Sequence, residues 1–267
     1  MSGRESAPET ALDLGPLPER PAEGFYARFA KPALDRSIAT VAAIALAPLF
    51  LVIALAIRID GPGGVLFRQQ RIGLLGRAFT ILKFRTMVPG AQRLGTGMLV
   101  TENDPRVTRV GRVLRALSLD ELPQIWNIAR GEMSFVGPRP TLAYQVKQYD
   151  SFQRQRLRLR PGLTGYAQVR GRKSLPWDER IRLDVLYLER ISFWTDLSIL
   201  FATVRVVLRA EDPPAPADYW KEKRSGPANG PVLSSRSSPV APVVPDAPGE
   251  AGRQEKQSPG GRSRAES

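Results

Sequence analysis

The 267 residues include neither cysteine nor histidine. Disulfides, thiolate metal sites, Ser/His/Asp triads and His-ligated zinc are thereby excluded, and any catalysis falls to carboxylates, Lys, Arg, Ser, Thr or Tyr. Hard oxygen chemistry stays open. Long apolar runs are scarce too. A single uncharged stretch, SIATVAAIALAPLFLVIALAI, lies between Arg36 and Arg58.

What the chain has in excess is positive charge. Lys plus Arg is 39 against 26 for Asp plus Glu, which suits partners that carry phosphate: nucleotides, nucleic acid or anionic lipid. Residues 1–24 hold two basic and five acidic side chains and residues 225–267 hold five and four, so the middle segment alone carries +15. Both ends read as disordered tails, the first rich in proline and acids, the last dominated by Ser, Pro and Gly. The folded unit is expected over 25–224.

The apolar stretch is about 20 residues long, enough helix for roughly 30 Å and hence for a bilayer's hydrocarbon core. A cleaved signal peptide does not fit, because the preceding region is too long and contains Asp35 and several prolines. Two readings remain. A spanning helix would be kinked by Pro48, since membrane helices tolerate proline. A re-entrant hairpin over about 37–58 would break at Pro48 and return to its own side, each arm of about ten residues reaching roughly 15 Å. Basic residues flank both sides, Arg28, Lys31 and Arg36 before and Arg58, Arg68 and Arg71 after. The positive-inside tendency pulls both flanks to the cytoplasm, which a single span cannot satisfy.

Beyond it, Val65–Gln70 and Arg77–Phe84 are β-prone runs separated by Gly73 and Gly76, a hairpin pattern. Leu122–Ile128 opens a helix, and Asp178–Ile191 places Ile181, Val185 and Leu188 on one helical face. Leu197–Leu208 suits an interfacial or a core helix. Arg154, Arg156, Arg158 and Arg160 alternate with Gln or Leu, compatible with a polar strand face, a membrane-surface stripe or a nucleic-acid contact.

Chemistry concentrates in RALSLDELPQIWN, where Asp120 and Glu121 precede Pro123, a residue tolerated in a helix's first turn. Capping alone accounts for such a pair, with Asp120 as N-cap or Ser118 and Glu121 as a capping box. The other reading makes one carboxylate a nucleophile and the other a Mg²⁺ ligand near a phosphate-attracting helix end. Lys83 and Arg85 close the hairpin in KFRTM, Arg115 precedes Asp120 by five residues, and Arg139 stands between prolines in VGPRP. Flanking prolines stiffen the backbone that carries its guanidinium, a group suited to phosphate.

The ordered series KPALDR, the apolar run broken by Pro48, FRQQRIG, KFRTM, SLDELPQIWN, GEMSFVGPRP, RPGLTGYAQVRGR and LDVLYLERIS resembles the bacterial sugar transferases, also called monotopic phosphoglycosyl transferases, in their minimal catalytic form. The resemblance implies an α+β, mainly helical monotopic protein with one re-entrant helix-break-helix hairpin, a small β-hairpin and interfacial helices. It implies Asp120 as nucleophile, Glu121 as Mg²⁺ ligand, phosphate binding by Lys83, Arg85, Arg115 and Arg139, and a functional role for Asp184, otherwise read as a solvated helix acid. Relatives often have Ser-Pro at the break where this chain has Ala47-Pro48.

By the same resemblance, a sugar 1-phosphate passes from a UDP-sugar to polyprenyl (undecaprenyl) phosphate, releasing UMP and initiating exopolysaccharide, capsule or glycoconjugate synthesis. The implied location is the bacterial inner membrane, with the catalytic domain on the cytoplasmic face, membrane lipid around the anchor and pathway glycosyltransferases as partners. Nucleic acid is not expected. A membrane-tethered binding module or a noncatalytic scaffold would explain the charge and the anchor, but not the intact DE and PRP motifs.

Overall fold

The computed structural model describes residues 13–91, 104–171 and 175–209. The chain separates into two units, Met1–Lys223 and Arg224–Ser267, and every described residue belongs to the first. The C-terminal tail expected from sequence lies outside the described residues, as does the start of the N-terminal one. Residues 13–24, expected to belong to that tail, instead lie against the domain. Leu14 and Ala22 are buried, Arg154 donates to the carbonyls of Leu14 and Pro16, and the Ala22 amide donates to the Arg158 carbonyl at 2.8 Å. Proline removes amide donors here but leaves the carbonyls free to accept.

A short π-turn, Tyr26–Ala30, runs into α1 (Lys31–Ala45). It is followed by α2 (Ala47–Asp60), and the pair is bent by 61°. Pro48 in the first turn of α2 lacks an amide and crowds the carbonyl four residues back, so the break falls at Leu46. One stripe of α1, Ala39 and Ala43, packs on Ile125, Ile128 and Met133. Ile53 and Ile57 of α2 pack on Phe84 and Leu114. Both arms thus rest on one domain, while Ile38, Val41, Ile44, Leu51, Val52, Leu55 and Ile59 are exposed. No single helix among the described residues is long and apolar enough to cross a membrane.

Strands β1 (Leu66–Ile72) and β2 (Ala78–Phe84) form an antiparallel ribbon with Phe67 opposite Lys83, Gln69 opposite Ile81 and Arg71 opposite Phe79. Directly opposed residues share a face, so Arg71, Gln69 and Lys83 project beside the buried Phe79 and Ile81. Helix α3 (Arg109–Ala116) is capped by the Thr108 hydroxyl, which accepts from the Gly111 amide at 3.0 Å. It presses so closely on the ribbon's end that a Cβ on Gly111 would lie 2.1 Å from the Thr86 carbonyl oxygen.

Helix α4 (Gln124–Ala129) is tied to the free edge of β2 by Asn127, which accepts from the Leu82 amide at 3.0 Å and donates to the Thr80 carbonyl at 2.7 Å. The side-chain amide thereby stands in for a third strand. Then follow β3 (Ser134–Val136), α5 (Ala143–Lys147), α6 (Ser151–Arg154), β4 (Gly162–Thr164), α7 (Tyr166–Arg170), α8 (Trp177–Arg190) and α9 (Phe193–Arg209). Strands β3 and β4 pair in parallel.

A buried polar knot joins the start of α1 to the C-terminal helices. Asp196 accepts from Lys31 at 2.5 Å, from Tyr26 at 2.8 Å and from Tyr187, while Ser134 donates to Asp35 at 2.6 Å. The architecture is mainly helical with two small sheets, consistent with α+β. Helix α9 buries Asp196 and Ile199 against the domain and leaves Trp194, Phe201 and Val204 exposed.

Candidate active site

The Asp120–Glu121 pair sits in a 3₁₀ turn, Leu119–Glu121, between α3 and α4. Ser118, which leads into it, takes the left-handed conformation at φ +56°, and its side chain caps nothing. For a residue other than glycine that conformation costs about 1–3 kcal/mol and persists only where the surroundings enforce it. Capping therefore does not explain this pair. The turn is held between two anchored helices, and neither carboxylate is spent on capping it.

The two carboxylates are treated differently. Glu121 Oε1 accepts from Lys83 Nζ at 2.7 Å and from Arg139 Nη2 at 3.2 Å. Burial alone would raise its carboxyl, but Arg139 and Lys83 outweigh it and hold the pKa at about 2. Asp120 forms no ion pair among the described residues. Burial raises its carboxyl above the ordinary value, the Glu121 charge adds to that, and Lys83 and Arg115 oppose it. A locked anion thus stands beside a more basic, unengaged one.

Arg115, on the last turn of α3, donates from Nε to the Thr86 hydroxyl at 2.8 Å. Its charge favours the ionised form of Asp120. Arg85 is not part of this cluster. Its guanidinium donates to the carbonyls of Ile57 at 3.0 Å, Gly61 at 2.8 Å and Pro62, closing the C-terminus of α2. In KFRTM, Lys83 thus points to the acids, whereas Arg85, expected at substrate phosphate, is committed to the end of α2.

Asp184 is not a solvated acid either. On α8 it is 4 % exposed and paired with Arg156 at 2.5 Å. Arg156 also donates to the Tyr149 hydroxyl at 2.6 Å and to the Arg139 carbonyl at 2.9 Å. Asp184 acts behind the cluster, holding the backbone of the PRP motif through Arg156. The alternating arginines serve the same internal purpose. Arg154 and Arg158 bind the 13–24 segment, and Arg160 donates to the Gly131 carbonyl at 2.9 Å. None of the three sequence readings of that pattern, strand face, membrane stripe or nucleic-acid contact, describes them.

Two residues join the cluster that sequence reasoning did not assign. Arg71 lies beside Pro140 of the PRP motif, and Arg156 supports Arg139 from behind. The ribbon's alternation, with Arg71 on the Lys83 face, was the available signal for the first. For a divalent cation, the donor chemistry is hard oxygen from one or two carboxylates. The described residues hold no group of three or more acids. A cation such as Mg²⁺ would take its remaining ligands from water and substrate phosphate. Glu121, ionised at any ordinary pH, is the residue suited to hold it.

Residues 26–210 match the bacterial sugar transferase family. The chain is 42 % identical over 192 residues to the exopolysaccharide production protein ExoY of Rhizobium meliloti, covering 67 % of this chain and 85 % of that protein. It is 39 % identical over 207 residues to the undecaprenyl-phosphate glucose phosphotransferase of Komagataeibacter xylinus, covering 73 % of this chain but 38 % of that one. It is 42 % identical over 191 residues to the UDP-glucose:undecaprenyl-phosphate glucose-1-phosphate transferase of Xanthomonas campestris pv. campestris, covering 68 % and 40 %. It spans less than half of the latter two. With the acids, cations and stiff PRP segment gathered as described, the chain belongs to the bacterial sugar transferase family and is by class a phosphoglycosyl transferase.

Proposed function

We propose that this chain transfers a sugar 1-phosphate from a UDP-sugar to polyprenyl phosphate through a covalent aspartyl intermediate. The observation that carries the reading is the division of labour in the DE pair. Glu121 is fixed by Lys83 and Arg139, while the adjacent Asp120 forms no ion pair among the described residues and burial raises its carboxyl above the ordinary value. A nucleophile needs that freedom.

An Asp120 oxygen attacks the phosphorus that bears the sugar, the bond to the bridging oxygen breaks, and UMP leaves with that oxygen. A phosphate oxygen of the lipid then attacks the acyl phosphate and frees the Asp120 carboxylate, giving polyprenyl-diphospho-sugar. Lys83, Arg115 and Arg139 orient and neutralise the phosphate oxygens, the larger share of phosphoryl-transfer catalysis. Mg²⁺ held by Glu121 would add charge neutralisation on the diphosphate.

Membrane attachment completes the proposal. The many exposed large apolar residues of α1, α2 and α9 suit contact with lipid. The 61° bend and the packing of both arms on one domain support a re-entrant anchor. At 15 and 14 residues, the arms measure about 22 and 21 Å, short of a bilayer core. The cytoplasmic face of the inner membrane suits a soluble nucleotide donor and a lipid acceptor. A role in initiating exopolysaccharide or glycoconjugate synthesis agrees with the name of the ExoY relative. Two relatives are named for glucose-phosphate transfer, so UDP-glucose is the first donor to test, followed by UDP-galactose and N-acetylated sugars. UMP release from membranes given this panel, Mg²⁺ and polyprenyl phosphate tests the function; no release with any sugar would overturn it.

A further inference from the structure

FRQQRIG contributes a cation that the reaction above leaves unused. Arg71 is half-buried on the Lys83 face of the ribbon. Its guanidinium donates to Gln69 Oε1 at 2.6 Å and to the Pro140 carbonyl at 3.4 Å, both neutral acceptors. Its Nε is buried and has no hydrogen-bond partner. Among the described residues it has no carboxylate at ion-pair distance. Two charged groups act on it, the cation Arg139, which opposes its charge, and Glu121, which favours it but is already paired with Arg139 and Lys83.

A half-buried guanidinium beside a second cation is costly, and Glu121, shared by Arg139 and Lys83, offsets that only in part. Burial and then Arg139 lower its pKa to about 10, which keeps the charge in place at any ordinary pH. The cluster also has a charge surplus. Lys83, Arg71, Arg115 and Arg139 face Asp120 and Glu121, four cations to two anions, leaving room for a doubly charged ligand. Gln69 fixes the guanidinium at one end and Pro140 at the other, so the unused donor is held ready rather than left to solvent.

We propose that Arg71 is a phosphate-binding residue of this site, closing with Arg139 on one phosphate oxyanion. The proposal rests on the reading of the site as one for phosphoryl transfer. The oxyanion belongs either to the diphosphate of the nucleotide-sugar or to the monoester of the lipid acceptor. The two sources share their chemistry and separate by experiment.

The test uses the full chain in nanodiscs with two variants, Arg71→Gln and Arg71→Lys. One arm measures UDP binding by calorimetry in the Asp120→Asn background, which needs no turnover. The other follows discharge of the preformed sugar-phosphate enzyme by polyprenyl phosphate. Arg71→Gln should weaken at least one arm by about tenfold, the loss of a charged hydrogen bond, and Arg71→Lys should recover only part of it. Loss in the first arm assigns the donor diphosphate, and loss in the second assigns the lipid phosphate. Folded variants, with unchanged thermal unfolding and both arms within about twofold of the parent, would overturn the proposal.

Should the variants fail to fold, arginine-directed dicarbonyl labelling of the unmutated chain, read by peptide mass spectrometry, answers the same question. Saturating UDP or polyprenyl phosphate should slow labelling at Arg71. Equal labelling with and without both would reject the assignment. A chain that releases no UMP with any sugar overturns the transferase reading, whereas protection of Arg71 by UDP is read independently of turnover.

Discussion

Arg156 bridges Asp184 and the backbone of Arg139, with one guanidinium nitrogen 2.5 Å from the Asp184 carboxylate and 2.9 Å from the Arg139 carbonyl oxygen. The pair is deeply buried, with both side chains about 5 % exposed or less. Burial pushes the Asp184 carboxyl up and Arg156 pulls it back. Removing one partner leaves the other as a buried, uncompensated charge, at about 3–5 kcal/mol. Asp184→Asn should therefore lower thermal stability and kcat together, while the Mg²⁺ dependence stays as in the parent because Glu121 is untouched. The double replacement Arg156→Met/Asp184→Leu should recover much of the stability and little of the activity. Full activity in that double variant would mean that Arg139 needs no support.

Glu121 links charge to both stability and metal use. Its folded pKa of about 2 lies below the unbound value of 4.5. The group is thus a stabilising contribution fully present above about pH 4.5 and lost as pH falls toward about 2. Arg139 is 56 % exposed, so solvent screening leaves about 1–2 kcal/mol of it. Glu121→Gln should flatten the acid limb of a melting-temperature profile and weaken Mg²⁺ activation. An unchanged acid limb together with an unchanged Mg²⁺ requirement would remove Glu121 from both roles.

The ribbon, the break at Pro48 and α8 were legible because each has a period or a breaker: alternation, a missing amide, a recurring apolar face. Strands β3 and β4 were not, since three residues apiece carry no period. The arginines at 154–160 mimic strand alternation, yet Arg154, Arg156 and Arg158 lie in two short helical turns, and these side chains reach carbonyls up to 140 residues away. Such long-range acceptors leave no local trace. The same holds for Arg85 and for residues 13–24, whose partners are chosen by the tertiary fold. In the site, the identity of the acids and of Lys83, Arg115 and Arg139 was legible. That Asp184 works through Arg156 was not.

Gly111 allows α3 to lie against the ribbon. A Cβ 2.1 Å from the Thr86 carbonyl oxygen cannot be accommodated without moving backbone. Gly111→Ala should cost about 2–3 kcal/mol or more by overpacking. It should also weaken catalysis, because Arg115 and its Thr86 contact ride on the same helix. Wild-type unfolding temperature and rate would show that the approach is softer than described.

Pro48→Leu restores the missing amide and should straighten the α1–α2 pair. The resulting helix is long and apolar enough to span. Tags at both termini should report from the cytoplasm in the parent chain, whereas in the variant part of the population should place its N-terminus across the membrane and lose activity. An external N-terminus in the parent would reject the re-entrant anchor.

The central claim is that Asp120 carries the sugar phosphate. Purified chain given UDP-sugar and Mg²⁺ without lipid should release at most about one UMP per enzyme and retain a sugar phosphate, which polyprenyl phosphate then discharges. Asp120→Asn should abolish label and turnover together while nucleotide-sugar binding persists. Turnover near the parent rate in Asp120→Asn, with no labelled protein in the parent, would contradict the account and make the transfer direct.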